Sequence, residues 1–220
     1  MKIQTLGQVS YLETLKAMQS FTSTRTVHTE DEIWILEHPP VFTLGRHADP
    51  AHLLNPDSNI PVINTDRGGQ ITYHGPGQLI IYFLLDLKKS KTGPKDLVCK
   101  IENILISLLA DYKIPAEKHA GAPGIYIKNK KIASLGLRIT KGYCYHGLSL
   151  NINMDLSPFL LINPCGYKNL EITQMSEYVS EPTIKSLDFL EIGNQYADKY
   201  CQASTTSLEL RNTEILNSRK

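Results

Sequence analysis

Of the four cysteines in this 220-residue chain, Cys165 sits where a thiol is most readily presented. It lies in Asn163-Pro164-Cys165-Gly166, where proline fixes the backbone on one side and glycine frees it on the other. Cys99 falls inside a helical pattern, Cys144 among aromatics in a strand and Cys201 near the tail, settings in which cysteine serves as a small hydrophobe. A free thiol titrates at about 8.5, so a nucleophilic one needs a base or a cation beside it. Lys131 is the candidate. In Lys131-Ile132-Ala133-Ser134-Leu135-Gly136-Leu137-Arg138, strand alternation puts it on one face with Ala133, Leu135 and Leu137. There, at the margin of an apolar region, desolvation weakens an amine's hold on its proton. The plain alternatives are a cysteine that only fills space and a lysine kept at a hairpin tip for solubility. His74, His119 and His146 are rival bases. A zinc site built from them with Cys165 finds no ligand pair at a standard spacing, so no metal is expected.

A second set of polar groups lies in Arg67-Gly68-Gly69-Gln70-Ile71-Thr72-Tyr73-His74-Gly75-Pro76-Gly77-Gln78-Leu79, with four glycines and one proline in thirteen residues. Such a backbone turns sharply and lets a ligand approach it closely. Glycine and proline between apolar runs are also ordinary turn chemistry. A phosphate-cradling loop is excluded, because neither Lys-Ser nor Lys-Thr follows the last glycine and no helix pattern opens there. The segment runs into Ile80–Leu85, a buried strand, which would hold Arg67 and His74 beside a pocket floor.

The elements that must position these groups follow from periodicity. Strands are expected at Lys2–Leu6, Glu32–Glu37, Val41–Arg46, Ile60–Ile63, Ile80–Leu85 and Tyr143–Asn153, with a hairpin of Ile125–Lys128 and Lys131–Ile139 around Asn129-Lys130. Helices are expected at Val9–Phe21, Lys95–Tyr112 and Ile184–Gln202. Ala48–Ser58 reads as a surface loop able to cover a site. Strands in runs with few helices predict an α+β domain on a mixed, mostly antiparallel sheet. Residues 1–203 are read as one domain and 204–220 as a polar, fraying tail.

Composition narrows the function classes. Lys plus Arg is 23 against 22 for Asp plus Glu, a formal charge of +1, so no broad field points to nucleic acid. With 41% apolar residues the chain can bury a full core. Met1–Ser10 lacks the basic start and apolar core of a signal peptide, and no apolar run is long enough to span a membrane, which predicts a cytoplasmic protein. No long apolar surface helix is evident, and a monomer is expected.

Taken in order, Arg67–Leu79, Gly124-Ile125-Tyr126-Ile127, Lys131–Ile139, His146-Gly147-Leu148-Ser149-Leu150-Asn151 and Asn163-Pro164-Cys165-Gly166 resemble the lipoate-protein octanoyltransferases, from the first strand to Met175. The resemblance implies a fold like the catalytic domain of biotin and lipoate protein ligases. It implies transfer of an octanoyl group from octanoyl-acyl carrier protein to a lysine of a lipoyl domain, in 2-oxoacid dehydrogenase E2 subunits and the glycine cleavage H protein, with no nucleotide or other cofactor. It also implies that Cys165 forms an acyl thioester and that Lys131 exchanges protons with it. Carried over motif by motif, Arg67, Gly68, Gly69, Gln70, Ile71, Thr72, Tyr73, His74, Ser134, Leu135, Gly136, Gly147, Leu148 and Ser149 line the acyl-binding site.

Physical logic adds three expectations. Backbone N–H groups of Gly75–Gly77 are candidate oxyanion donors. The strand faces around Leu135, Leu148 and Ile71 could form an apolar slot for the chain. Some of Lys118, Lys128, Lys130, Arg138 and Lys141 are expected to form a patch toward an acidic carrier protein. Rival readings are an ATP-dependent lipoate or octanoate ligase, which would not need Cys165, a cysteine hydrolase using His74 or His146, and a non-enzymatic acyl-binding module.

Overall fold

The computed structural model describes residues 1–56, 58–180, 183 and 188–217. The strands are β1 (Lys2–Gln8), β2 (Glu32–Glu37), β3 (Val41–Leu44), β4 (Val62–Asn64), β5 (Ile71–His74), β6 (Gln78–Asp86), β7 (Glu117–His119), β8 (Ala122–Ile127), β9 (Lys130–Thr140) and β10 (Tyr143–Asn151). Seven form one sheet in the order β1-β2-β6-β10-β9-β8-β7, in which only β1 and β2 run parallel. The remaining three form a small sheet, β4-β3-β5. The helices are α1 (Tyr11–Thr24), the short α2 (Leu87–Ser90), α3 (Pro94–Asp111) and α4 (Phe189–Asn217). The α+β class and the mostly antiparallel sheet are as expected. The first residues of the expected last helix, Ile184–Leu187, lie outside the described residues.

Strand β6 shows why its sequence is apolar throughout rather than alternating: both of its faces are covered. Leu79, Ile81, Phe83 and Leu85 face a core closed by Leu97, Ile101, Leu105 and Leu108 of α3 and by Ile192, Tyr196 and Tyr200 of α4. Ile80, Tyr82 and Leu84 face the opposite way, toward Tyr11, Leu15 and Met18 of α1. Each buried leucine or isoleucine contributes about 2 kcal/mol of transfer free energy, so this strand fixes the sheet's middle. A third cluster joins Phe42, Leu44, Ile71 and Tyr73 of the small sheet to Phe159 and Ile162. That packing stands the end of the glycine segment over the α1 side of the large sheet. Among the described residues no helix is long and apolar enough to cross a membrane.

The α1 side of the sheet also buries two histidines. His38 Nδ1 lies 2.8 Å from the Val9 carbonyl and Nε2 2.8 Å from the Tyr82 hydroxyl. The carbonyl fixes the proton on Nδ1, and Nε2 then accepts from Tyr82. His74 Nδ1 lies 2.7 Å from Gln78 Oε1. Burial pulls His38 down to about 4 and His74 down to about 3. Unfolded histidines take a proton near 6.5, so below that pH the unfolded chain binds more protons than the folded one. Stability is therefore full above about pH 6.5 and falls as the pH drops toward 4. His38→Gln should flatten this dependence by about 1.4 kcal/mol per pH unit between pH 6 and 4, one proton's worth. Urea unfolding at stepped pH reads it, and an unchanged slope would show that the ring is not held neutral.

Candidate active site

A register shift decides where Lys131 points. Ile125 pairs with Ala133, yet Tyr126, one residue on, pairs with Lys131, so Ile132 is an extra residue in β9. Directly opposed residues share a face. Ile125 and Ala133 lie in the helix-covered core, and Tyr126 and Lys131 therefore point to the other side, with Ser134 and Gly136. Simple alternation put Lys131 with Ala133, Leu135 and Leu137. The bulge reverses that placement, which otherwise would have left an ammonium facing α3.

On its actual face Lys131 is 3% exposed. Its Nζ donates to Cys165 Sγ at 3.0 Å and to the Pro123 carbonyl at 2.9 Å, and stands 5.3 Å from the centroid of the Tyr126 ring. A Cβ at Gly124 would stand 2.4 Å from Lys131 Cε, so glycine is what leaves room for the amine to reach the sulfur. Burial acts against the lysine's charge, but the Cys165 sulfur and Tyr126 outweigh it and hold its pKa above the ordinary value.

Cys165 occupies a short 3-10 turn, Pro164–Gly166, at φ 56° and ψ 16°, a left-handed conformation that non-glycine residues rarely adopt. The turn is held from two sides. After it, the chain pairs with the lysine's own backbone: Lys131 N donates to Glu171 O at 2.8 Å and Thr173 N to Lys131 O at 3.0 Å. Before it, Asn163 N donates to His52 O at 2.8 Å, and Leu53 bridges to Ile162. The sulfur and the amine thus belong to adjoining stretches of backbone.

His52 ends a short turn, Pro50–His52, that starts at Asp49, whose side chain accepts from Ala51 N. Gln70 ties the same stretch to the glycine segment, accepting from Asp49 N at 2.9 Å and donating to His47 O at 3.0 Å. Residues 47–53 therefore form a strap between the glycine segment and the Cys165 turn. A Cβ at Gly166 would lie 3.3 Å from His52 Nε2, which puts that imidazole beside the sulfur's turn. The loop expected to cover a site does flank one. His52 itself was not singled out in the sequence, where it is one histidine in a polar stretch, and only the pairing of Leu53 with Ile162 reveals its place.

Arg67 is the anchor of the glycine segment. Its Nη2 donates to Thr43 O at 2.6 Å, Thr43 Oγ1 at 2.9 Å and Gln70 O at 2.8 Å, and Nη1 donates to Gly68 O at 2.8 Å. Among the described residues no carboxylate pairs with it. Burial lowers its proton affinity, while Tyr11 and Cys165 act in the opposite sense. The glycine segment is pinned to β9 as well, Gly68 N donating to Leu137 O at 3.0 Å.

Between this segment and the large sheet lies a cavity of ≈ 50 Å³, bordered by Cys165, Arg67, Ile71, Thr72 and His74 together with β9 and β10. The opposed pairs Ser134 with Ser149 and Gly136 with Gly147 give it a floor of four small residues. Leu135 and Leu148 also border it, but their side chains pack toward the helix-covered core. The apolar wall expected from them is therefore absent, and the floor is made by the small residues between them. At the far end, His146 Nε2 lies 2.9 Å from Asp66 Oδ1, and Asp66 also accepts from Tyr145 Oη and from Gln19 Nε2 at 3.2 Å. Burial acts against the Asp66 charge, but its bonds to His146 and Tyr145 hold it well below the usual carboxylate range. Burial pulls the His146 pKa down against the pull of Asp66.

Three further expectations are corrected or narrowed. The Gly75–Gly77 turn does not border the cavity, and Gly77 N donates to Glu37 Oε1 at 2.9 Å, so that N–H is committed to the β5–β6 connection and is not an oxyanion donor. The five cations do not form one patch. Lys128 and Lys130 sit at the β8–β9 turn, with Lys130 3.2 Å from Glu171, whereas Arg138 and Lys141 lie at the other end of β9, and Lys118 bonds to Asn103 on α3. The hairpin turn residues are Lys128 and Asn129, one place earlier than expected, with Lys128 at φ 55°. His119 stacks on Tyr126 at 4.1 Å, and no group of three metal-ligating side chains occurs among the described residues. A larger cavity of ≈ 650 Å³ opens between α2, α3 and α4 near Leu87, Leu97 and Tyr200, and Cys165 does not border it.

The seven-stranded sheet backed by two helices has the fold of the lipoate and biotin protein ligases. The Thermoplasma acidophilum bi-partite lipoate protein ligase superposes with a TM-score of 0.70 at 11% identity, over 91% of this chain and 82% of that one. The Aquifex aeolicus biotin protein ligase, solved with biotin and ATP, superposes with a TM-score of 0.54 at 12% identity, over 93% and 72%. Residues 10–192 match the family described as the lipoyl protein ligase A/B catalytic domain. The octanoyltransferase of Dechloromonas aromatica (strain RCB) is 55% identical over 80% of this chain and 85% of its own length. The chain belongs to the octanoyltransferases of that family, and its activity is octanoyl transfer in protein lipoylation.

Proposed function

We propose that octanoyl transfer runs through an acyl thioester on Cys165, with Lys131 carrying each proton. The 3.0 Å contact between Lys131 Nζ and Cys165 Sγ in a nearly dry corner is the observation that carries this reading. With the thiol's proton resting on Lys131, the sulfur attacks the donor thioester carbon. The carbonyl re-forms, the donor's sulfur leaves, and it takes a proton from Lys131. One thioester has replaced another, so the step is close to balanced and needs no ATP.

Acylation also changes the lysine. The sulfur that most strongly opposed the burial penalty is now part of a neutral thioester, so burial weighs more heavily on Lys131, which favours the uncharged amine. It is then a base when the acceptor needs one. A neutral lysine amine of the acceptor attacks the thioester, gives its extra proton to Lys131, and expels the Cys165 sulfur to restore the starting pair. The amide formed is more stable than the thioester consumed, which drives the second half.

The donor in this reading is octanoyl-acyl carrier protein. The acceptors are lipoyl domains of 2-oxoacid dehydrogenase E2 subunits and of the glycine cleavage H protein. Arg67–His74, Ser134–Gly136 and Gly147–Ser149 hold the acyl group, and residues 1–203 act as one unit and as a monomer. A free nucleophilic thiol suits a reducing compartment, in keeping with the cytoplasm.

Intact mass after mixing with octanoyl-acyl carrier protein, without ATP, tests the reading. The parent should gain one octanoyl group and lose it to an added lipoyl domain, and Cys165→Ala should gain nothing. Equal labelling of both proteins would remove the thioester. A lipoyl domain modified only when octanoate and ATP are supplied would move the chain to the ligases.

A further inference from the structure

Two of the groups at the far end of the small-residue floor have unmet hydrogen-bonding capacity. His146 Nδ1 and the Tyr11 hydroxyl are buried, make no hydrogen bond among the described residues, and belong to residues 1% and 4% exposed that border the same cavity as Cys165. Asp66 fixes the tautomer of the ring: Nε2 carries the proton toward the carboxylate, so Nδ1 is a bare acceptor. The Tyr11 hydroxyl has Arg67 and Thr65 near it but outside bonding geometry.

The register and a left-handed backbone at His146 together bring the imidazole into line with the sulfur. From Lys131, beside Cys165, the α1-facing pairs of β9 and β10 run Ser134 with Ser149, then Gly136 with Gly147. Alternation alone would turn His146 toward the helices, but its φ of 61° sends the ring to the α1 side, against Asp66, Tyr82 and Tyr145. The open floor is two residues long, about 7 Å. Over the second pair the roof comes down. A Cβ at Gly136 would lie 3.0 Å from Gly68 O and 3.2 Å from Arg67 Cδ, so the guanidinium stem and the glycine segment close the space there. The slot thus begins at a sulfur, crosses two pairs of small residues and ends on a wall of imidazole, phenol and guanidinium.

We infer that Tyr11 and His146 set the acyl chain length, by ending the slot in a polar wall that keeps an ordered water and that a longer chain would have to strip. The inference rests on the proposed acyl-thioester reading of Cys165. A cavity of ≈ 50 Å³ is large enough to hold a water, and a water there would donate to Nδ1 and accept from the Tyr11 hydroxyl. A chain that stops short leaves this water in place. A chain two carbons longer displaces it and leaves an acceptor and a donor facing methylene groups, which disfavours it by about 10-fold to 100-fold, the range for buried polar groups left unpaired.

The experiment compares hexanoyl, octanoyl, decanoyl and dodecanoyl groups on the carrier protein, as kcat/KM for transfer to a lipoyl domain. The parent is set beside Tyr11→Phe, which removes one oxygen, and His146→Leu. The expected result is a rise of at least fivefold in the decanoyl to octanoyl ratio for Tyr11→Phe, and a larger rise for His146→Leu if that variant folds. A merely structural role would lower every chain length by the same factor and leave the ratio where it was, and that outcome overturns the inference. Should the parent transfer no acyl group at all, the reading of Cys165 fails instead. The wall is then judged by affinity for free octanoate against free decanoate, parent against Tyr11→Phe, where an unchanged preference overturns it.

Discussion

Lys131→Arg should separate the two halves of the reaction: the variant takes an octanoyl group from the carrier protein and then fails to pass it on. Arginine keeps a cation beside the sulfur, but it does not release its proton in a protein. The starting ion pair therefore survives, and the donor's sulfur leaves as a thiolate that takes its proton from water instead of from the side chain. The later step, in which a neutral base must accept a proton from the acceptor amine, does not survive. The acyl-enzyme should accumulate by intact mass, and its turnover to a lipoyl domain should fall on the order of 10³-fold, the usual worth of a positioned base. Lys131→Met is the companion, expected to lose both halves because neither the cation nor the base remains. If Lys131→Arg discharges its acyl group at the parent rate, the amine is not the base of the second half. Release of the leaving thiol alone would also be visible, as carrier-protein thiol appearing in one burst equal to the enzyme present.

Arg67→Met should be the most destabilising single change near the cavity that leaves Cys165 and Lys131 untouched. The guanidinium serves the carbonyls of Thr43, Gly68 and Gln70 and the Thr43 hydroxyl at once. Methionine fills much of the volume and satisfies none of them. Each buried acceptor left bare costs about 1–3 kcal/mol, partly recovered by relaxation, so a total of about 3–5 kcal/mol is expected. For a domain of this size that is a fall of about 10 °C or more in Tm. Octanoyl uptake should fall with it, because the Gly69–Gln70 stretch that these bonds hold borders the same cavity as the sulfur. Arg67→Lys should recover part of the stability through one or two of the bonds. A methionine variant that melts within about 2 °C of the parent would show that the glycine segment holds itself.

The residue types of the site were legible in the sequence, and their arrangement only in part. Asn163-Pro164-Cys165-Gly166 announced a presented thiol because proline and glycine act locally, and the thiol is indeed on a tight left-handed turn. The long helix and the central strand were legible for the same reason, since period and burial are written in consecutive residues. Lys131 does lie beside Cys165, but alternation gives it the wrong face, because strand alternation assumes an unbroken ladder and the extra residue at Ile132 is specified by pairing with β8. His52, Tyr11 and Asp66 were not read as site residues. Each reaches the site through contacts distant in sequence, His52 with Asn163, Tyr11 through α1 and Asp66 with His146. The Gly75–Gly77 turn was overvalued because composition cannot tell a loop that meets a ligand from one that meets Glu37.

The extra residue at Ile132 makes the partnership of sulfur and amine depend on a count. Substitutions along β9 alter contacts one at a time, but a codon lost between Lys131 and Ala133 would change the frame of alternation and swing the amine to the opposite side of the sheet, with every side chain chemically intact. Loss of one residue at that strand end of this chain would thus part the lysine from the cysteine, where a substitution at Ile132 would leave the two side by side.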